Sequence, residues 1–251
     1  MSKDFKAPRV SKVMVAVILV EPEHPGNIGS VCRVMANFGF KELIIINPQC
    51  EITQETKNLA KNAQDIVNSI RIADWSVLKE FSVLAATAGI KTSDLNLHRS
   101  PLTPRQAAEK IMPVADAALV FGRERNGLTN KELELMDFVI TIPTSDEYPS
   151  MNLSHSVAVM LYECYLAHGA KQFTPIKQEE RKVIEEKMNA LLDSMIFPTD
   201  GKRTTQKKIW KNVFGRSILT RAEARALLGF FRILERQQRK QPTIATKRTK
   251  Q

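Results

Sequence analysis

The sequence predicts an α/β fold, a mostly parallel sheet covered by helices on both faces, followed by a small basic helical domain. Three observations carry that expectation. Short apolar, β-branched runs alternate with amphipathic segments over residues 1–170, the pattern of repeated strand and crossover-helix units. The runs are apolar throughout, as strands buried on both faces require. The charge also changes along the chain: residues 1–170 hold 17 Lys+Arg against 19 Asp+Glu, and residues 171–251 hold 20 against 8, so the net charge of +10 is C-terminal in origin.

The strands are expected at VMVAVILV (13–20), ELIIIN (42–47), SVLAATAG (82–89), AALVFG (117–122) and FVITIP (138–143). After the first comes a helix with Ile28, Val31, Cys32, Met35 and Ala36 on one apolar face. Further helical stretches are expected near 53–69, 103–112 and 129–136, and the run VAVMLYECYL forms another. The expected domains are 1–170, a basic helical region over 171–241 and a disordered basic tail over 242–251. In the second, Ile184, Met188, Leu191 and Met195 form an apolar stripe. Thr220-Arg221-Ala222-Glu223 is a capping box opening a last helix with Leu227, Leu228, Phe231 and Leu234 inward, leaving Arg216, Arg221, Arg225, Arg232, Arg236 and Arg239 outward.

Composition excludes several classes. With 43% hydrophobic and 25% charged residues the chain is an ordinary globular one. It shows neither a leader nor a membrane-spanning run, so a cytoplasmic protein without membrane attachment is expected. Cys32, Cys50 and Cys164 are odd in number and fit no disulfide or zinc spacing; they read as buried thiols. His24, His98, His155 and His168 form no ligand pattern, so no metal is expected. The basic C-terminal region suits a polyanion, nucleic acid before membrane.

Ligands of parallel sheets bind at the carboxyl ends of the strands. There the chain keeps EPEHPGNIGS, TAGIKTS, GRERNGL and PTSDEYPSMNLS. None is a dinucleotide fingerprint, and GRERNG is followed by Leu128-Thr129 where a phosphate loop needs lysine. In YPSMNLS the Ser, Asn and Pro residues serve either as a loop and helix cap or as a ligand site.

HPGNIGSVCRVMANFGF (24–40), ALVFGRERNGLTNKELELMDFVITIPTS (118–145) and YPSMNLSHSVAVMLYE (148–163), in that order, resemble the three motifs of the SpoU/TrmH-type RNA 2′-O-methyltransferases of the SPOUT superfamily. The resemblance implies a trefoil-knotted α/β fold, with the chain after Phe121 threaded through a loop, and a homodimer with sites near the subunit interface. It implies S-adenosylmethionine as cofactor, held by Thr87, Ala88, Gly89, Gly122, Ile142, Ser150, Met151, Asn152 and Leu153. It assigns catalysis to Asn27, Arg33, Glu124, Ser150 and Asn152. LLDSMIFP (191–198) and FGRSILTRAEARALLGFFRILERQ (214–237) resemble the helical extension of the branch that methylates nucleotide 32 of the tRNA anticodon loop, cytidine and possibly uridine.

Simpler readings stand beside these. Arg33 could form a salt bridge with Glu124, Gly122 could be a turn glycine, and Ser150 and Asn152 could be helix caps. An enzyme acting on another tRNA position or on ribosomal RNA explains the first 170 residues equally well. A non-catalytic RNA-binding protein explains only the basic end.

Overall fold

Six parallel strands build the core of the first unit in this computed structural model, which describes residues 15–89, 101–168 and 175–240. β1 (Val15–Val20), β2 (Leu43–Ile46), β3 (Arg71–Ala73), β4 (Val83–Thr87), β5 (Ala117–Phe121) and β6 (Phe138–Ile140) lie in the order β3-β2-β1-β5-β4-β6. Every residue of β1, β2 and β5 is buried, which is why these runs carry no polar alternation. On one face Ile18, Val20, Ile44, Leu84 and Val120 pack with Leu128, Leu133 and Met136 and with a 3-10 helix, Trp75–Glu80.

Helix α1 (Pro25–Phe38) buries Ile28, Val31, Cys32 and Met35, but Ala36 is exposed. Phe40 takes up burial beyond the turn, where Gly39 adopts the left-handed conformation at φ 80° that ends the helix. The stretch expected to be helical over 53–69 is two helices, α2 (Gln54–Ala60) and α3 (Gln64–Asn68), separated at Lys61, whose φ is 53°. Strand β3 carried no periodic signal because it is a three-residue edge strand with Arg71 and Ile72 exposed. α4 (Pro104–Ile111) begins on a capping box of Thr103 and Gln106. α5 (Asn130–Leu133) is a single turn within the longer stretch expected, and α6 (Leu153–Leu166) follows the last loop.

The chain divides into two compact units after Pro175. The second contains α7 (Gln178–Ser194), α8 (Asp200–Ser217) and α9 (Arg221–Lys240), around Ile184, Met188, Leu192, Phe214 and Phe231. Met195 lies outside this core, 46% exposed, because the helix has ended and its backbone is extended; Leu192 is the buried residue of that turn. The Thr220 capping box is formed: its N–H and hydroxyl donate to Glu223 at 2.7 and 2.8 Å. Arg216 is half-buried, its Nε donating to the Asn212 carbonyl at 3.3 Å, instead of facing outward. The tail over 242–251, the Arg239 side chain and His98 lie outside the described residues.

Candidate active site

Strand order brings the site together. β1 and β5 are neighbours, with Leu19 opposite Phe121, so the loop over 21–24 with the first turn of α1 and the loop over 122–128 leave the sheet side by side. β4 lies next to β5, and β6 next to β4, so the segments after Thr87 and Ile140 emerge on the same edge.

The start of α1 is held from below. A Cβ on Gly29 would lie 2.2 Å from the Thr56 carbonyl oxygen, so only glycine lets α1 and α2 approach this closely. The Thr56 hydroxyl donates to the Pro25 carbonyl at 3.0 Å. Asn27 and Arg33 are thereby fixed on a rigid helix.

The GRERNGL loop is braced by Arg123. Its Nε donates to Glu21 at 2.7 Å, and Nη1 and Nη2 donate to the two oxygens of Glu132 at 3.0 and 2.9 Å. The pairing with Glu132 and Glu21 raises the guanidinium's pKa further, and Arg123 holds the Glu132 carboxyl below its ordinary range. Glu21 itself stands in the left-handed region at φ 49°, a conformation the clamp helps to hold. Gly122 has a stated reason: a Cβ there would meet the Gly127 carbonyl carbon at 2.3 Å and the Leu128 nitrogen at 2.4 Å. The loop folds onto itself at that point.

Glu124 is then presented to the neighbouring loop. Its Oε2 accepts from the Glu23 N–H at 3.0 Å, and its Oε1 accepts from the His24 N–H at 3.3 Å and from Asn27 Nδ2 at 2.9 Å. Asn27 Oδ1 accepts from Asn152 Nδ2 at 3.2 Å, and Asn152 Oδ1 accepts from the N–H and hydroxyl of Ser154, both at 2.8 Å. A carboxylate only accepts, so Glu124 sets the orientation of both amides down this chain of bonds. Asn152 is also the N-cap of α6, so its cap role and its site contact coexist in one side chain.

The structure therefore joins Asn27, Glu124 and Asn152. It does not bring Arg33 into that network: Arg33 is exposed on α1 and makes no hydrogen bond or ion pair among the described residues, so the alternative salt bridge to Glu124 is absent. Ser150 is exposed in the loop before α6. Thr87 and Ala88 are half-buried at the end of β4, Gly89 is exposed with nothing within 4 Å of a Cβ placed there among the described residues, and Ile142 is half-buried beyond β6. The Ala88 N–H is committed to the Ile140 carbonyl at 2.9 Å, so it is not a free donor for a ligand. Met151 is half-buried and Leu153 buried.

Cys32 and Cys164 are buried, with burial pushing each thiol up to about 12, but Cys50 is only partly buried and donates to the Pro22 carbonyl at 3.5 Å. Among the described residues no group of three His, Cys, Asp or Glu is arranged to hold a metal ion, and no helix is long and apolar enough to cross a membrane. Sequence reasoning missed Arg123, Glu21, Gly29 and Thr56. The Thr129 and Glu132 capping pair was a legible local signal, but the clamp joins residues about a hundred positions apart.

These features are those of a methyltransferase of one family: the SpoU rRNA Methylase family matches residues 14–162, and the chain belongs to it. Its relatives narrow the branch. The chain is 36% identical over 228 residues to the tRNA (cytidine-2′-O-)-methyltransferase TrmJ of Methanocaldococcus jannaschii, covering 88% of this chain and 99% of that protein. It is 35% identical over 170 residues to the tRNA (cytidine/uridine/adenosine-2′-O-)-methyltransferase TrmJ of Pseudomonas aeruginosa, covering 66% of each. The crystal structure of TrmJ from Z. mobilis ZM4 aligns with a TM-score of 0.63 at 27% identity, covering 88% of this chain and 98% of that one.

Proposed function

We propose that this protein transfers the methyl group of S-adenosylmethionine to the ribose 2′-oxygen of nucleotide 32 in the tRNA anticodon loop. The observation that carries the reading is the bonded chain Glu124, Asn27, Asn152, which joins all three sequence motifs at one edge of the sheet. The TrmJ relatives support tRNA as substrate, and the basic excess beyond residue 170 supports a phosphate-binding role for the helical unit.

The residues present fit the cofactor. Thr87, Ala88, Gly89, Gly122 and Ile142 end or follow three adjacent strands, a Cβ on Gly89 would meet nothing within 4 Å among the described residues, and Ile142 and Met151 are half-buried apolar side chains, with Leu153 buried. Ser150, exposed in the loop before α6, and Asn152, bonded to Asn27, are the polar groups this reading assigns to the cofactor. When bound, S-adenosylmethionine supplies an electrophilic methyl group on a sulfonium centre. The protein's work is then chiefly positioning. Arg33 holds the phosphate and 2′-oxygen of the target nucleotide and favours the alkoxide electrostatically. It is not the proton acceptor, because a guanidinium does not give up its proton in proteins. Phosphate or water takes the proton. Asn27, oriented by Glu124, lines the same edge.

The working form is a cytoplasmic homodimer, with the chain after Phe121 threaded as in the family's knot. Tyr162 and Leu166 on α6, 48% and 53% exposed, with Phe38 packed on Tyr162, offer an apolar face for a second copy. The deciding experiment is mapping of 2′-O-methyl groups on total RNA incubated with the protein and labelled S-adenosylmethionine. A single modified site at tRNA nucleotide 32 is expected. Label in ribosomal RNA, at another tRNA position, or nowhere overturns the reading.

A further inference from the structure

A hollow lies entirely within the helical unit, between α7 and α8, with a volume of about 150 Å³. A cavity of about 150 Å³ is the size that holds one benzene ring, so this hollow, open to solvent on one side, has room for a six-membered ring. Met188 and Phe214 supply a buried floor. Trp210 stands beside them, partly exposed, its ring 5.7 Å from that of Phe214. Glu185 and Asn189, one turn apart on α7, add a carboxylate and an amide to the wall.

Three lysines of α8 complete the lining. Lys207 is paired with Asp193 at 2.7 Å, whereas Lys208 is exposed and makes no hydrogen bond or ion pair among the described residues. Lys211 faces Glu185, whose carboxyl is raised by burial and partly restored by Lys211 and Arg181. A carboxylate partly withdrawn from water gains more from a donor placed in the hollow than a fully solvated one does.

We infer that this hollow receives one extruded pyrimidine base of single-stranded RNA, stacked on Trp210, with Glu185 and Asn189 reading the base edge and Lys208 and Lys211 holding flanking phosphates. The inference rests on the tRNA reading above and adds a base contact made by the helical unit itself. A phosphate contact alone needs neither an aromatic wall nor a recess, whereas extruded bases are characteristically stacked on aromatic side chains and read along their polar edges. Glu185 accepts from the amino group of cytosine, while uracil would turn a carbonyl oxygen toward it, so cytosine is preferred.

The chain has two tryptophans, Trp75 and Trp210, so full-length protein carrying Trp75→Phe reports on the hollow through Trp210 alone. Short oligocytidylate is expected to quench Trp210 saturably, oligouridylate to bind about tenfold more weakly, and inorganic phosphate at equal ionic strength to leave the signal unchanged. Glu185→Gln should reduce the cytosine preference to about twofold or less; Asn189→Ala serves the same comparison should the first variant fail to fold. Oligocytidylate that binds by anisotropy without changing Trp210 overturns the inference, as does quenching by phosphate alone. Methyl transfer to tRNA by the same preparation is read separately: its presence keeps the tRNA reading when the hollow fails, and its absence removes the reading on which the hollow depends.

Discussion

Replacing Glu124 by glutamine preserves shape and removes one acceptor, which isolates what the carboxylate does. It receives three donors on two oxygens: Glu23 N–H on one, His24 N–H and Asn27 Nδ2 on the other. Glutamine has a single acceptor oxygen, so in either orientation its NH2 faces at least one N–H group. The smaller loss strands the Glu23 N–H; the larger strands His24 and Asn27 and frees the amide chain to reverse. One hydrogen bond to a charged group is worth about 1.5–3 kcal/mol. Placed wholly on the transition state, that is about a ten- to 150-fold loss of rate. Because Glu124 is half-buried, water relieves part of the cost, and the lower end of that range is expected. Single-turnover methyl transfer to tRNA at saturating S-adenosylmethionine, beside a thermal melt, measures it. Near-normal turnover by a folded Glu124→Gln protein would refute the argument that this carboxylate orients the site; loss of activity in proportion to unfolded protein would make Glu124 a stability residue only.

Three further outcomes follow from the same geometry. Arg33→Ala should change stability by no more than about 0.5 kcal/mol, since the side chain is exposed and unpaired among the described residues, while methyl transfer falls by orders of magnitude and Arg33→Lys recovers little; a folded alanine variant with normal turnover contradicts its catalytic assignment. Gly29→Ala must push α1 off the Thr56 carbonyl and should cost at least about 2 kcal/mol, visible as a lower denaturation midpoint; an unchanged midpoint means the two helices part freely. Arg123 depresses the pKa of Glu132, so the clamp's stabilisation is complete above the unfolded-state value of about 4.3 and fades as pH falls through the lower folded value. Glu132→Gln should therefore lower Tm at neutral pH, with the gap to the parent closing in acid, and a gap that stays constant from pH 7 down to about 3 rules out the linkage.

Much of the architecture was legible without coordinates, for local reasons. Val15–Val20 and Ala117–Phe121 announce doubly covered strands because every side chain must tolerate burial, and Thr220 with Glu223 announces a helix start because the two residues satisfy each other's backbone within one turn. The motif resemblance named Asn27, Glu124 and Asn152 together. What residue type and spacing could not supply was where a segment stops and what its neighbours are. Met195 fits the apolar stripe and still faces water because the helix ends before it; Arg71–Ala73 forms a strand with no pattern because an edge strand three residues long is held by its pairing to β2.

The sequence by itself determined the strand and helix alternation, the split of charge at about residue 170 and the three motifs that mark the family, since each is written in contiguous residues. Only the tertiary structure decided that β5 lies beside β1, and hence that Glu124 meets Glu23, His24 and Asn27 across about a hundred residues of chain. It also decided that Arg123 is spent on Glu21 and Glu132, while Arg33 on the face of α1 is left without an ion pair among the described residues. The physical reason is that a charged side chain carries the same local signature whether it braces a loop or faces a ligand. Its role is set by which donors and acceptors the fold places within about 3 Å, a distance that sequence separation does not encode.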